Sequence, residues 1–382
     1  MIFGIVFIDL VGFGIVIPVL PLYAERFGAS PLVIGWLLGI YSAMQCLCAP
    51  ILGRISDRVG RRPVLIVSVL GTAAGFLLMG VATSLKILFV ARIIDGVTGG
   101  NISTALAYIA DVTPPEQRSK NMGLIGAAFG LGFIVGPALG GLLSHVSLSA
   151  PFLFAAALAG ANAIALTILL PESLPPERRG RPVEQKAPWT TLLRTTRRPH
   201  LAVILATYFL TTVAFSLLTA TYPLFTNRRF GYGATQNGYI FAVLGLIGAI
   251  VQGGLLGWLL KVWNDRGLAI AGTVALMASL VFLPTSGTIA GLLAVTAGMA
   301  VGHGLVASTL NGMASKSTDA ASQGRVLGLM QSSASLARIV GPVMGGWLLN
   351  YDATQMTLVF GRTPYWAAAA VMLVATLLAV AL

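Results

Sequence analysis

Residues 53–64 read GRISDRVGRRPV, a short charged segment between two long apolar runs. Its arginines are typical of a cytoplasmic loop that sets the orientation of a membrane protein. Orientation alone explains neither the acid nor the two glycines, which permit a tight turn. We therefore predict a turn with a role of its own, carried by Gly53, Asp57, Arg58, Gly60, Arg61 and Arg62.

The composition of the whole chain agrees with a membrane location for these apolar runs. Of the 382 residues 56% are hydrophobic, and only 9% are charged, against about 25% in an ordinary soluble domain. The mean hydropathy is +0.87. This balance excludes a soluble enzyme, a secreted disulfide scaffold and a disordered chain.

Twelve apolar stretches follow one another, each long enough to cross a bilayer of about 30 Å as a helix. They are too long for the strands of an outer-membrane barrel, so we predict a helical bundle. The stretches lie at roughly 2–24, 32–53, 64–84, 87–111, 121–144, 150–171, 200–225, 235–260, 268–286, 288–315, 324–349 and 364–382.

A repeat divides these spans into two groups of six. Residues 123–143 align with residues 328–348 at a constant offset of 205, and the same GP-x-x-GG pattern occurs in both. Parallel repeats of this kind occur in transporters whose halves are related by an axis along the membrane normal. The predicted organisation is an all-α membrane protein with two pseudo-symmetric six-helix halves, at 1–171 and 200–382, and a cytoplasmic linker at 172–199.

The net charge of +12 follows the predicted topology. Seventeen of the 24 Lys and Arg residues fall in loops on one side of the predicted bundle, and five fall on the other. Because basic loops stay in the cytoplasm, both termini are expected there. The same distribution argues against a nucleic-acid partner.

Four charged residues lie inside predicted spans and away from their ends, where a charge costs at least a few kcal/mol and indicates function. Asp9 in span 1 is either a structural acid or a protonatable group coupled to transport. Arg92 and Asp95 in span 4 are three residues apart and share a helix face. Asp95 is either a private partner of Arg92 or a second proton site. Arg338 in span 11 either reaches the interface, pairs with an acid or binds substrate.

Small residues recur every four positions in span 5, at Gly132, Gly136 and Gly140, with Pro137 and Gly141 beside them. Such a stripe permits close approach of a neighbouring helix. Polar side chains at membrane depth are candidates to line a substrate cavity. They are Gln45, Asn101, Tyr208, Gln252, His303, Asn311, Gln331 and Arg338.

These motifs together resemble the major facilitator superfamily. The loop at 53–64 carries the superfamily signature, and span 1 (IDLVGFGIVIPVLP, 8–21), span 4 (ARIIDGVTGG, 91–100) and span 5 (GLGFIVGPALGG, 130–141) resemble the twelve-span drug/proton antiporters. The similarity is greatest to the tetracycline/proton antiporter branch. That branch also carries acids in spans 3 and 9, where this sequence has none.

The resemblance implies roles for several residues. Asp57 is expected to bond to Arg61 and to the first turn of span 11, and Asp111 at the end of span 4 completes this conformational latch. Arg92 matches the arginine of the family's span 4 motif, which is associated with proton transfer, whereas Asp95 stands where the family more often has a neutral polar or small residue. Together with the acid of span 1, Asp9, these two are our candidates for coupling transport to protons. The span 5 motif is expected to pack against span 8.

The predicted function is the export of small lipophilic molecules, tetracycline-like ones being one candidate, in exchange for protons by alternating access. The alternative is an uptake, lipid or organic-anion carrier on the same fold. We expect no enzyme activity, no cofactor and no metal. The partners would be a small-molecule substrate, protons and the lipid bilayer of a bacterial inner membrane, and the functional unit a monomer.

Overall fold

The described part of the protein is helical throughout and contains no strand. The computed structural model describes residues 2–113, 118–175, 177, 179, 199–318, 320–355 and 359–382. Within these ranges nine helices are long and apolar enough to cross a membrane, and a shorter apolar helix lies at Gly130–Leu143.

Among the described residues, the first half of the chain forms seven α-helices. They are α1 (Ile2–Glu25), α2 (Pro31–Val59), α3 (Arg61–Gly80), α4 (Leu85–Thr98), α5 (Asn101–Val112), α6 (Arg118–Leu143) and α7 (Ala150–Leu169).

In the described ranges from 199 onward, the second half forms seven more α-helices. They are α8 (Pro199–Phe230), α9 (Ala234–Ile250), α10 (Leu256–Val262), α11 (Asp265–Phe282), α12 (Ile289–Lys316), α13 (Ala320–Thr354) and α14 (Arg362–Val380).

Two of the predicted spans are interrupted. Span 4 divides into α4 and α5 at Gly99 and Gly100, because consecutive glycines have the lowest helix propensity after proline. Span 8 divides into α9 and α10 at a π-helical turn, Val251–Leu255, which contains two further glycines. The other spans agree with the prediction within about six residues. The largest difference is at α2, which continues to Val59, so residues 53–59 of the predicted turn are helical and only Gly60 separates α2 from α3.

The residues cluster into two compact units. Unit 1 comprises Met1–Ser30, Leu37–Val183 and Phe230–Ala242, and unit 2 comprises Pro31–Trp36, Glu184–Arg229 and Val243–Leu382. Each unit thus includes a short segment from the other half of the sequence: Phe230–Ala242 in unit 1 and Pro31–Trp36 in unit 2. Close packing at glycines explains why each segment groups with that unit.

In unit 1 the glycine stripe of α6 packs against α1. A Cβ atom at Gly136 would lie 2.6 Å from the Val11 carbonyl oxygen and 2.7 Å from the Gly14 Cα. At Gly132 it would lie 2.7 Å from the Leu10 Cβ, and at Gly140 3.0 Å from the Ile15 carbonyl oxygen. These separations leave no room for a side chain, so the two backbones are in direct contact.

The expectation that this stripe packs against span 8 is wrong for its three spaced glycines. Two other residues of the motif do face α9. A Cβ at Gly141 would lie 3.0 Å from the Gly238 Cα, and a Cβ at Gly238 would lie 2.5 Å from the Pro137 carbonyl oxygen. A hydrogen bond between the Ser144 and Thr235 hydroxyl oxygens, 2.9 Å apart, lies beside this contact. A shift of one residue turns a helix by about 100°, which separates the two faces.

Unit 2 repeats the arrangement with the corresponding residues. Gly341 packs on Val213 of α8, and a Cβ at that glycine would lie 2.7 Å from the Val213 carbonyl oxygen. Gly346, on a different face of the same helix, packs on the start of α2. A Cβ at Gly346 would lie 3.0 Å from the Gly35 Cα. Span 11 therefore uses one face for span 7 and the next for span 2, as span 5 does for spans 1 and 8.

The helix predicted to end at 349 continues to Thr354 and carries Asp352, which is 2% exposed. A buried acid therefore lies just beyond the predicted end of span 11. The Asp352 carboxylate accepts hydrogen bonds from the Gly361 and Thr363 amides, at 2.9 and 3.1 Å, and so caps α14.

Two glycines of α6 provide a test of the close packing. Gly136→Ala would force α1 and α6 apart and is expected to destabilise the protein by about 1–3 kcal/mol. Gly130→Ala on the same helix meets nothing within 4 Å, so its higher helix propensity should leave stability unchanged or raised. Thermal unfolding of both variants in detergent measures the difference, and equal unfolding temperatures would contradict the packing account.

Candidate functional site

A buried ion pair lies at the centre of unit 1. The Arg92 Nη1 and Asp95 Oδ2 atoms are 2.8 Å apart, and the two side chains are 2% and 5% exposed. Both residues belong to α4, where a spacing of three places them on one face. Since neither charge reaches the surface, each is neutralised by the other inside the span.

Residues of two neighbouring helices, α2 and α3, surround this pair. The Arg92 guanidinium carbon lies 4.2 Å from the centroid of the Tyr41 ring of α2, a cation–π contact. The Thr72 hydroxyl of α3 donates a hydrogen bond to the Asp95 carboxylate. The absence of a side chain at Gly75 makes room for Asp95, since a Cβ there would lie 2.9 Å from the Asp95 Cβ.

Asp9 of α1 belongs to the same group. It is half-buried and close enough to Asp95 for the two carboxylates to interact electrostatically. The structure therefore brings together all three residues that the sequence singled out for proton coupling. The group contains two acids and one base at membrane depth.

The break in span 4 lies next to this group and is held by Gln45. The Gln45 amide nitrogen donates to the Gly99 carbonyl oxygen at 2.7 Å and to the Tyr41 hydroxyl at 3.2 Å. A carbonyl at a helix end has no partner within its own helix, and the amide supplies one. Gln45, predicted to line a substrate cavity, thus contacts Tyr41, whose ring packs on Arg92.

The charged turn forms a second cluster at the cytoplasmic ends predicted for α2 and α3. Arg61 is only 9% exposed. Its Nη1 lies 2.5 Å from the Asp57 Oδ1, and its Nε lies 3.2 Å from the Asp111 Oδ2. Its Nη1 also donates to the Ser56 hydroxyl at 2.6 Å. One guanidinium therefore joins α2, α3 and the end of α5.

The remaining residues of the turn have separate environments. Arg62 donates to the Thr167 carbonyl oxygen of α7, and Arg58 is exposed in the last turn of α2. The Gly53 carbonyl oxygen accepts from the Ser56 hydroxyl at 2.7 Å. Most side chains in the first turn of α13, the expected partner of Asp57, lie outside the described residues, so that part of the latch stays a prediction.

Glu172 is a member of this cluster that sequence reasoning missed. Its carboxylate accepts hydrogen bonds from the Arg61 and Arg62 amides, at 2.9 and 3.2 Å. The sequence places it at the first position of the linker, 111 residues beyond Arg61. One feature of the sequence pointed to such a residue. Gly60 precedes α3 and has no side chain to cap the helix, so the first amides of α3 need an acceptor from elsewhere.

Unit 2 has a smaller cluster of opposite polarity at the equivalent positions. The Lys316 Nζ lies 2.6 Å from the Asp265 Oδ2. At the repeat offset of 205, Lys316 corresponds to Asp111 and Asp265 to Gly60. In this unit the base stands at the end of span 10 (α12), and the acid is the first residue of the preceding span 9 (α11).

The other predicted cavity residues are dispersed over unit 2. The His303 ring stacks on Phe215, with ring centroids 3.7 Å apart. Arg338 donates to the Ser335 hydroxyl at 3.1 Å, and the Asn311 amide donates to the Ala307 carbonyl oxygen of its own helix. Tyr208 packs against a buried apolar cluster, whereas Gln252 and Gln331 are exposed. The Asn101 side chain lies outside the described residues, and the cavity stays a prediction.

Comparison with known proteins gives the family. A model described as the Major Facilitator Superfamily matches residues 2–342, with a further match at 255–382. The chain belongs to the major facilitator superfamily. The predicted fold class, an all-α membrane transporter fold, is therefore confirmed, and members of this superfamily are transporters.

Curated relatives and solved structures agree. The chain is 36% identical over 349 residues to the class C tetracycline resistance protein of Escherichia coli, covering 90% of this transporter and 87% of that protein. It is 29% identical over 351 residues to multidrug resistance protein 2 of Bacillus subtilis strain 168, covering 91% and 87%.

A bacterial homologue of the human lysosomal transporter Spinster aligns with a TM-score of 0.81 at 15% identity, covering 100% of this chain and 95% of that one. This likeness shows the fold. The resemblance to the tetracycline resistance branch, expected from the motifs, is confirmed by the curated relatives.

The buried pair makes a prediction about stability. Asp95→Asn alone leaves Arg92 charged and buried without its acid, which is expected to destabilise the transporter by about 3–5 kcal/mol. The double variant Arg92→Gln/Asp95→Asn removes both charges and should unfold at a higher temperature than the single variant. Thermal unfolding in detergent measures both variants. A double variant that is less stable than Asp95→Asn alone would contradict the pairing.

Proposed function

We propose that this transporter exports small lipophilic molecules of the drug type in exchange for protons, by alternating access. The observation that carries the proposal is the buried group of Asp9, Arg92 and Asp95 in a chain whose relatives confer resistance to tetracycline and to multiple drugs. Resistance conferred by a membrane carrier indicates movement of the drug out of the cell.

The charge of the buried group supports coupling to protons. With both acids ionised, one arginine leaves a net negative charge in a region of low dielectric constant, which is unfavourable. The group becomes neutral when one carboxylate binds one proton. Loss of that proton restores the negative charge, and the two states differ enough to drive a conformational change.

The same charge argument favours cationic or zwitterionic cargo. A positive group near Asp9 and Asp95 would neutralise the deprotonated state as a proton does, so that cargo and proton compete for one negative charge. Such competition is what exchange in opposite directions requires. A carrier of organic anions would instead gain little from the two acids.

The cluster around Arg61 is proposed as the conformational latch. Asp57, Arg61 and Asp111 connect three helices in one hydrogen-bonded group, and charge-assisted bonds of this kind are stronger than neutral ones. Breaking and remaking them would set the balance between transport states. We further propose that the protein is a monomer in a bacterial inner membrane with both termini in the cytoplasm. The distribution of basic residues supports this orientation.

Transport into vesicles tests the proposal. The purified transporter in proteoliposomes, under an imposed pH gradient, should accumulate tetracycline or a lipophilic cation such as ethidium on the acidic side. Collapse of the gradient by a protonophore should abolish accumulation. Asp9→Asn and Asp95→Asn should each reduce it at least tenfold, because the exchangeable charge is lost, whereas Glu177→Gln, at an exposed position, should not.

Accumulation on the alkaline side would indicate transport together with protons and would favour the uptake alternative. A folded preparation in which no cargo of the panel responds to the gradient would refute proton-coupled export.

A further inference from the structure

The loop after α7 is fastened to the start of α3 through one side chain, that of Glu172. Its Oε1 accepts from the Arg61 amide at 2.9 Å, and its Oε2 accepts from the Arg62 amide at 3.2 Å. These are the first two residues of α3, whose amides have no acceptor within the helix. Glu172 therefore does for α3 what a capping residue usually does from the adjacent position, with a negative charge at the positive end of the helix dipole.

The carboxylate is itself held in place by its own segment. The Ser173 and Leu174 amides donate to Oε1 at 2.9 and 3.0 Å. The Tyr108 hydroxyl donates to the Pro171 carbonyl oxygen at 3.0 Å, which attaches the same loop to α5. The Glu172 carboxylate therefore accepts hydrogen bonds from four backbone amides, two in α3 and two in its own loop, and these bonds fix its position.

Gly60 makes this approach geometrically feasible. Its φ of +121° lies in the region that favours glycine. A Cβ at this position would also collide with the Glu172 Oε2. The glycine of the charged turn is thus needed for two reasons, the backbone conformation and the space for the carboxylate.

The fastening acts on the residue at the centre of the latch. The Arg61 backbone amide is held by Glu172, while its side chain contacts Asp57 and Asp111. The Ser173 hydroxyl, next to Glu172, donates to the same Asp111 oxygen at 3.2 Å. Moving the loop after α7 would therefore move both the guanidinium and one of its acids.

We propose that Glu172 is a positioning residue of the latch. It holds the turn at Gly60 so that the Arg61 guanidinium lies between Asp57 and Asp111, and it ties the latch to the first residues of the segment joining the two halves. The proposal rests on the proposed function, because the latch matters only if the chain alternates between transport states.

Substitution of Glu172 by Gln keeps the size of the side chain but leaves a single acceptor oxygen. In the wild-type protein the backbone amides bond to both carboxylate oxygens. In the proteoliposome assay we expect the maximal rate for Glu172→Gln to fall about tenfold, with the KM for cargo within about twofold of wild type, since the residue touches no cargo. The matched control is Glu177→Gln, five residues further along at an exposed position, which should transport as wild type does.

A double variant separates positioning from a general loss of stability. If Glu172 acts through the latch, Glu172→Gln/Asp57→Asn should be no slower than Asp57→Asn alone, because the latch is already broken. Rates that fall by the product of the two single effects would overturn the proposal. So would wild-type transport by Glu172→Gln.

Amide hydrogen exchange gives a second readout that needs no cargo. In Glu172→Gln the amides at 61–64 should exchange at least tenfold faster, and the peptide containing Asp111 should also lose protection. Unchanged exchange at 61–64 would overturn the proposal. If wild type shows no gradient-driven transport, the proposed function fails while this exchange result still decides whether Glu172 holds the turn.

Discussion

A charge within the hydrocarbon of a bilayer has to be neutralised, and the arrangement of unit 1 depends on this requirement. Arg92 is neutralised by Asp95 on the same helix, stacks on Tyr41 and shares its environment with Asp9. Four helices supply these groups, so the pair could not be buried if any of them were displaced. A site built to hold one arginine and two acids is also one whose charge changes by binding a proton, which connects its stability to its proposed role.

Close backbone packing is the second condition on which the fold depends. Helices in a membrane gain little from burying apolar side chains against each other, so they rely on dispersion contacts at short range. In both units one helix carries glycines on two faces, and each face packs closely on a different helix. Gly136 and Gly341 pack on spans 1 and 7, whereas Gly141 and Gly346 pack on spans 8 and 2. The repeat visible at 123–143 and 328–348 is thus a repeat of contacts, and it explains why each unit includes a short segment from the other half of the sequence.

Hydropathy and motif spacing predict most of the fold, because length and apolarity alone decide whether a segment crosses a bilayer. The break at Gly99 was not predicted, since paired glycines are tolerated in some spans and only the Gln45 contact shows that the carbonyl is used. The faces of α6 were misassigned because the choice between neighbouring glycines depends on a rotation of one residue. Glu172 was missed for a different reason: its partners are backbone amides about 110 residues away. Gly60 indicates that α3 lacks a cap from the adjacent residue, but not which distant residue supplies one. The cargo cavity depends on side chains from many helices and cannot be derived from their spacing.

Coupling through the buried group can be measured most directly as the number of protons released when cargo binds to the purified transporter in weakly buffered detergent solution. Competition for one negative charge predicts about one proton released per cargo molecule at a pH where the cargo-free group is fully protonated, and about half a proton where it is half protonated. It also predicts that release falls close to zero in both Asp9→Asn and Asp95→Asn. Cargo binding with no proton release in wild type, or with undiminished release in both variants, would contradict the account.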